Sequence, residues 1–243
     1  MGGTIAVLGV GASQGLGAGI ARRFAREGFR AFIAGRNAGR LAQVAAEISD
    51  LGGGEATAVP ADVTDRDQVV RFFDAVEEAA GVPDVVAYNA GGNRRIPFLE
   101  LEPETFTNFW RVCCLGGFLV GQEAARRMLP RGAGTITFTG ASASRRGRAG
   151  FAAFAAGKAG LKMVAESMAR EFGPQGLHVA HVVIDGAIDG ERIHQRRPDV
   201  AAQRGEGGLL AIDDIAEAFW QIHNQGWTAW TFETELRPYK EPF

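Results

Sequence analysis

The chain has 243 residues, 46% hydrophobic and 22% charged, the balance of a soluble globular protein and enough length for one large α/β domain. Its formal charge of −2 leaves no basic footprint for nucleic acid, and no apolar run approaches the length that spans a membrane. Two adjacent cysteines, Cys113 and Cys114, are ill placed for a disulfide or a spaced metal site. They read as free thiols, and with an N-terminus that enters a strand pattern directly they indicate a cytoplasmic protein.

Strand and helix patterns alternate along the chain. "TIAVLGV" (4–10) is an apolar, β-branched run closed by glycine, the pattern of a buried strand. A helix is predicted from about Gly15 to Glu27, with Ile20 and Phe24 on one face and Gly28 as its stop. "RAFIAG" (30–35) reads as strand two, and "AGRLAQVAAEIS" as a helix carrying Leu41, Val44, Ala45 and Ile48 at helical spacing. "EATAVPADV" contains strand three. Thr64 is the expected cap of the next helix, with Asp65 and Asp67 in its first turn, where negative charge is favourable.

"DVVAYNAG" (84–91) is strand four. A long helix follows from about Pro103 to Leu129, with Gly116 and Gly117 as the expected point of irregularity. "GTITFTG" (134–140) is strand five, and the helix over 151–172 opens with "FAAFAAGKAG". "LHVAHVVI" (177–184) is strand six. A polar segment spans 187–208, Asp213 to Asn224 is helical, and "TAWTFETEL" (228–236) is a last strand.

Strands separated by helices imply right-handed βαβ units and a doubly wound parallel sheet, a single Rossmann-type α/β domain over 1–243. Ligands of such folds sit at the carboxyl ends of the strands. The loop after strand one, "GVGASQGLG", spaces Gly11, Gly15 and Gly17 as G-x-x-x-G-x-G. Glycines there let the backbone approach a pyrophosphate, and the helix N-terminus supplies amide donors.

This loop, the "YNAG" after strand four and the lysine of "FAAFAAGKAG" together resemble the short-chain dehydrogenase/reductase family over essentially the whole chain. The resemblance implies that Gly11, Ser13, Gln14, Gly15, Leu16 and Gly17 hold a dinucleotide. It further implies that Asp62 and Val63 border the adenine, that Asn89, Ala90 and Gly91 line the cofactor, and that Gly186 does so after strand six. At the end of strand two this chain has Gly35 and Arg36, with no carboxylate to accept from ribose hydroxyls. A guanidinium there favours a 2′-phosphate through charge-assisted bonds, so NADP(H) is expected over NAD(H).

Catalysis in that family uses Asn, Ser, Tyr and Lys. Lys158 matches the lysine, but Phe154 stands at the tyrosine position, as in a small subgroup of the family. "CCLGGF" resembles the N-x-x-G segment and puts Cys114 at the asparagine position. The serine spacing falls on Ala141, leaving Ser142, one residue later, as the candidate substrate contact and Ser144 as a weaker one. Substitutes for the tyrosine proton are Ser142 acting through water, Asp185 and Tyr88. Reduction of a conjugated double bond would relax the demand for that proton.

Two loops at strand carboxyl ends carry Arg94, Arg95, Arg145, Arg146 and Arg148, expected to converge on one cleft and attract an anionic substrate. The segment 187–208, with His194, is the expected lid. His178 and His181 on strand six read as structural, and the four histidines show no metal-ligand spacing. The terminal "ELRPYKEPF" suits a subunit interface, and the resemblance implies a homodimer or homotetramer. The leading reading is an NADP-dependent oxidoreductase acting on a carbonyl, alcohol or activated alkene. The alternative is a catalytically silent NADP(H)-binding sensor or scaffold.

Overall fold

The protein is described by a computed structural model covering residues 2–241. Seven parallel strands form one sheet in the order β3 (Ala56–Ala58), β2 (Arg30–Ala34), β1 (Thr4–Leu8), β4 (Val85–Tyr88), β5 (Gly134–Ala141), β6 (Leu177–Ile184) and β9 (Glu233–Leu236). This is the doubly wound α/β arrangement, with the order reversing between β1 and β4. The last strand is shorter than the sequence pattern suggested and pairs along β6 from His181↔Glu233 to Ile184↔Leu236. Pro242 and Phe243, the end of "ELRPYKEPF", lie outside the described residues.

Alternation along the strands separates two cores. Ile5 and Val7 of β1 pack with Phe24 of α1 (Leu16–Arg26), Leu41 of α2 (Ala38–Asp50) and Phe219 of α9 (Ile212–His223). Ala6 and Leu8 face the other way. They pack with Phe72 of α3 (Arg66–Ala80), Val120 of α5 (Gly116–Met128) and Leu161 of α6 (Ala152–Phe172). A parallel strand covered on both faces has no polar side to show, which is why "TIAVL" is apolar throughout.

Two sequence expectations are corrected. The cap of α3 is Asp65, not Thr64: its carboxylate accepts from the amides of Asp67 and Gln68. Thr64 instead closes a turn on Asp62, donating through its amide and its hydroxyl to Oδ1 at 2.9 Å each. The long helix is broken before the two glycines. It runs as α4 (Pro103–Trp110), a π-helical stretch over Arg111–Leu115, and then α5. The wide turn frees the Val112 carbonyl, which accepts the buried Tyr88 hydroxyl. Gly116 and Gly117 pack directly over the same phenol, where a Cβ on Gly116 would lie 2.5 Å from the oxygen.

The segment 187–208 is built, not irregular. A two-residue strand β7 (Ile188–Asp189) leads to α7 (Glu191–Arg196) and α8 (Pro198–Arg204), then back to β8 (Leu210–Ala211), which pairs with β7. Pro198 opens α8, where its missing N–H costs nothing, and α7 ends at Arg196, two residues before it.

His178 and His181 lie buried in β6. The His178 ring stacks on Trp230 at 4.8 Å. His181 Nδ1 meets Glu233 Oε2 at 2.9 Å while Nε2 has no partner among the described residues. Burial outweighs the Glu233 carboxylate and pushes the His181 pKa down to about 4. The folded state thus refuses a proton that the unfolded chain accepts near pH 6.5, so stability present above 6.5 falls as pH drops towards about 4. The loss is on the order of 3 kcal/mol, at about 1.4 kcal/mol per pH unit. Urea midpoints measured from pH 7.5 to 4 should fall across this window, and His181→Gln should flatten the fall.

Candidate active site

The first loop is set by backbone contacts that leave no room for side chains. The amides of Gly9 and Val10 both donate to Ala34 O, at 2.9 and 2.8 Å, which turns the chain sharply out of β1. Gly9 has φ +103°, and a Cβ on it would sit 2.2 Å from Ala90 N. Asn89 Nδ2 donates to Gly9 O at 3.1 Å, so the end of β4 is stapled to the loop. Gly17 lies against this same staple: its Cβ would be 2.9 Å from Gly9 O and 3.0 Å from Asn89 Nδ2. Gly17 and Asn89 therefore serve the loop's shape.

The ligand-facing part lies between them. Gly11 looks onto open space: of Gly9, Gly11, Gly15 and Gly17 it is the one where an added Cβ would meet nothing within 4 Å. Behind it α1 starts at Leu16 from an N-cap, Gly15, that has no side-chain cap and no acidic residue in the following turn. Those amides are donors in search of an acceptor, and a pyrophosphate fits them. Ser13 donates its hydroxyl to Glu47, and Arg22 grips its carbonyl at 2.7 Å, so its side chain braces the loop. Gln14 O accepts from Glu191 N at 2.9 Å, which seats the start of α7 on the loop.

Arg36 stands exposed just beyond β2, without an ion pair or hydrogen bond among the described residues. Gly35 before it must be glycine, since a Cβ would lie 2.2 Å from Val10 O. Asp62 is held through Oδ1 by Thr64, and Val63 is buried beneath Gly116. Gly186 packs on Pro238 and Leu210, where a Cβ would lie 2.6 Å from the proline.

At the centre of the sheet, Lys158 reaches across from α6 and donates from Nζ to Thr139 O at 2.7 Å. It is buried, and desolvation pushes its pKa down, with Cys113 opposing and Arg192 adding to the effect. Gly91 forms the floor: a Cβ there would meet Lys158 Nζ at 3.3 Å and Cys113 Sγ at 3.9 Å. The Thr139 hydroxyl is buried without a partner among the described residues, a polar group that sequence reading did not single out.

Cys113, not Cys114, is the thiol beside the lysine. Cys114 packs one turn further along α6, where its Sγ would meet a Cβ on Gly160 at 2.7 Å, while Cys113 lies against Gly157 and below Gly91 beside Lys158. The sequence held the signal: counting the N-x-x-G spacing from Gly116 instead of Gly117 lands on Cys113.

The proposed substitutes for a tyrosine separate clearly. Tyr88 is buried in the core, and burial raises its pKa well above the ordinary value. Asp185 is buried and accepts from Arg146 Nη2 at 3.2 and 3.3 Å. Ser144 is buried and accepts from Ala141 N at 3.2 Å, a structural bond. Ser142 is half-buried, and its hydroxyl has no partner among the described residues. Phe154 is half-buried one turn before Lys158.

The five arginines do not converge. Arg145 turns to β9 and pairs with Glu233 and Glu235, while Arg146 pairs with Asp185. Arg94 is exposed. Arg95 and Arg148 do share a cavity of about 370 Å³, lined also by Ala149, Phe151 and Arg197. Arg197 comes from between α7 and α8 and was not anticipated. His194 lies on α7, exposed and 2.6 Å from Asp189. No helix among the described residues is long and apolar enough to cross a membrane.

A family profile described as short chain dehydrogenase matches residues 5–200. A gluconate 5-dehydrogenase of Gluconobacter oxydans is 35% identical over 169 residues, which is 70% of this chain and 66% of that protein, just under two thirds of its length. The crystal structure of a short-chain dehydrogenase from Rhodopseudomonas palustris is 41% identical, with a TM-score of 0.82 over 97% of this chain and 98% of that one. A metagenomic short-chain oxidoreductase solved in complex with NADP is 25% identical, with a TM-score of 0.80 over 97% of this chain and 96% of that one.

Proposed function

The chain belongs to the short-chain dehydrogenase family, and from that premise we propose that it is an NADP(H)-dependent oxidoreductase acting on a carbonyl, alcohol or activated alkene. The observation that carries the reading is the uncapped start of α1 behind the open face of Gly11, with the free cation Arg36 at the end of β2. The relative solved with NADP supports the choice of cofactor class. In this reading Gly11, Gly15 and Leu16 take the pyrophosphate, with Ser13, Gln14 and Gly17 shaping the loop. Arg36 takes the 2′-phosphate, the free Oδ2 of Asp62 and the Val63 backbone border the adenine, and Ala90 and Gly91 lie under the nicotinamide ribose beside Asn89. Gly186 borders the nicotinamide end, and the 187–208 segment acts as a lid.

The nicotinamide ring, when bound, supplies or takes the hydride. In this reading Lys158 holds the ribose hydroxyls once its bond to Thr139 O is shared. Ser142 is the free hydroxyl for a substrate oxygen. In this reading Phe154 stands where the family's tyrosine would be, and the loss of a positioned acid costs about 10²–10⁴-fold in rate. With Tyr88 bonded to a carbonyl and Asp185 paired, proton delivery falls to Ser142 through water, or the substrate is an alkene that needs less of it. The substrate is anionic in this reading, drawn by the arginines left unpaired. A second reading, a silent NADP(H)-binding protein, is favoured by the same loss of donors. The exposed Phe106, Trp110, Phe118 and Met163, on α4, α5 and α6, support a homo-oligomeric assembly.

Arg36→Glu should weaken NADPH binding at least tenfold while sparing NADH, read by fluorescence titration; equal losses for both would remove Arg36 from nucleotide choice. Single-turnover oxidation of bound NADPH against carbonyls and enoyl thioesters separates the two functional readings. Turnover of any substrate supports the enzyme. Silence throughout, with Phe154→Tyr restoring carbonyl reduction, supports the binding protein. Sedimentation should show Phe118→Glu shifting the assembly towards monomer with its fold intact by circular dichroism.

A further inference from the structure

Arg23, Arg127, Arg145 and Arg204 each pair with carboxylates at close range. In the cavity of about 370 Å³ beside α6, by contrast, three arginines meet around one space. Arg95 and Arg148 line it and make no ion pair or hydrogen bond through their side chains among the described residues. Arg197 closes it from the lid, and its one carboxylate contact is Asp199, two residues away and 3.5 Å off on an exposed stretch. Such a local exposed pair holds a guanidinium only weakly. No acidic side chain lines the cavity, so its lining offers three like charges no carboxylate.

The walls are held in place. Ile96 N donates to Gly150 O at 2.8 Å, which ties the loop after β4 to the loop after β5. Gly150 has φ +82°, and a Cβ on it would lie 2.7 Å from Arg95 Cγ, so the arginine stem lies flat on a bare glycine. Phe151 N donates to Arg148 O at 2.9 Å, fixing Arg148 at the start of α6. Phe151 lines the cavity, and Phe154 and Lys158 follow at three and seven residues along the same helix face. The cavity thus continues the row that leads to the lysine.

We infer that Arg95, Arg148 and Arg197 form a phosphoryl-binding subsite, and that the substrate is a small phosphate monoester. The inference rests on the reading of this cleft as a substrate site. Three guanidiniums arriving from three separate loops match a tetrahedral dianion with three terminal oxygens. A planar carboxylate is satisfied by one bidentate arginine and leaves the other two facing each other. Because Arg197 belongs to the lid, the bound phosphoryl group joins the lid to both loops. The substrate's remote charge then closes the site over its reacting end.

Calorimetric titration of the full chain with glycerol 3-phosphate, glycerate and glycerol, with and without saturating NADP⁺, tests this. Glycerol 3-phosphate should bind at least tenfold more tightly than glycerate, and glycerol not at all. Arg95→Ala, Arg148→Ala and Arg197→Ala should each weaken it at least tenfold, while Arg170→Ala, on the outer side of α6, should not. Hydrogen exchange over 191–204 should slow with glycerol 3-phosphate in the unaltered chain only. Glycerate binding as tightly as the phosphate would overturn the phosphoryl assignment. Unchanged affinity in all three arginine variants would overturn the subsite. NADP⁺ binding is scored separately: its absence sinks the cofactor reading and leaves the subsite result standing.

Discussion

The approach of the first loop to the end of β4 is the constraint on which the rest depends. Asn89 holds Gly9 O, Gly9 adopts a conformation with positive φ against Ala90, and Gly17 brings α1 down onto both. No side chain fits between these backbones. Their closeness opens the crevice at the point where strand order reverses and aims the free amides of α1 into it. Moving any of the three would displace the loop, the helix and the strand together, because the interior is packed without slack.

On the floor of that crevice a lysine sits in a dry place. Lys158 spends its charge on Thr139 O, and desolvation pulls its pKa down. The side chains around it are unusual for proton transfer. The phenylalanine one turn earlier has nothing to donate, and the thiol facing the lysine is that of Cys113. The only tyrosine nearby is committed elsewhere. Its hydroxyl satisfies a carbonyl that the π-helical turn leaves free, so the phenol belongs to the architecture of the helix break. Such a carbonyl buried without a donor would be costly, which explains why a tyrosine is kept in an otherwise apolar strand.

The cationic side chains divide in the same way. Arg145 and Arg146 complete ion pairs with β9 and with Asp185, and so join strand ends to loops. Arg95, Arg148 and Arg197 meet around a cavity instead. Neighbours in sequence thus serve opposite purposes, because adjacent residues of a turn point in different directions and meet different partners.

Much was legible in the residues alone. The apolar, β-branched runs and the helical spacing determined the alternation of strand and helix, hence the doubly wound sheet. The glycine pattern marked the tight turn between β1 and α1, Gly35 and Arg36 marked the end of β2, and Lys158 with Phe154 marked one turn of α6. These are local signals: period, breaker residues and spacing within one or two turns. The apolar faces of α1 and α2 were legible too, but which partner a polar or sulfur-bearing side chain meets required the tertiary structure. The cleft thiol is Cys113 because the π turn sets the helix phase there. Asp65 caps α3 because Thr64 is drawn to Asp62. Arg197 joins Arg95 and Arg148 because the segment 187–208 folds back over the strand ends, a contact with Arg95 across about a hundred residues that no local pattern encodes.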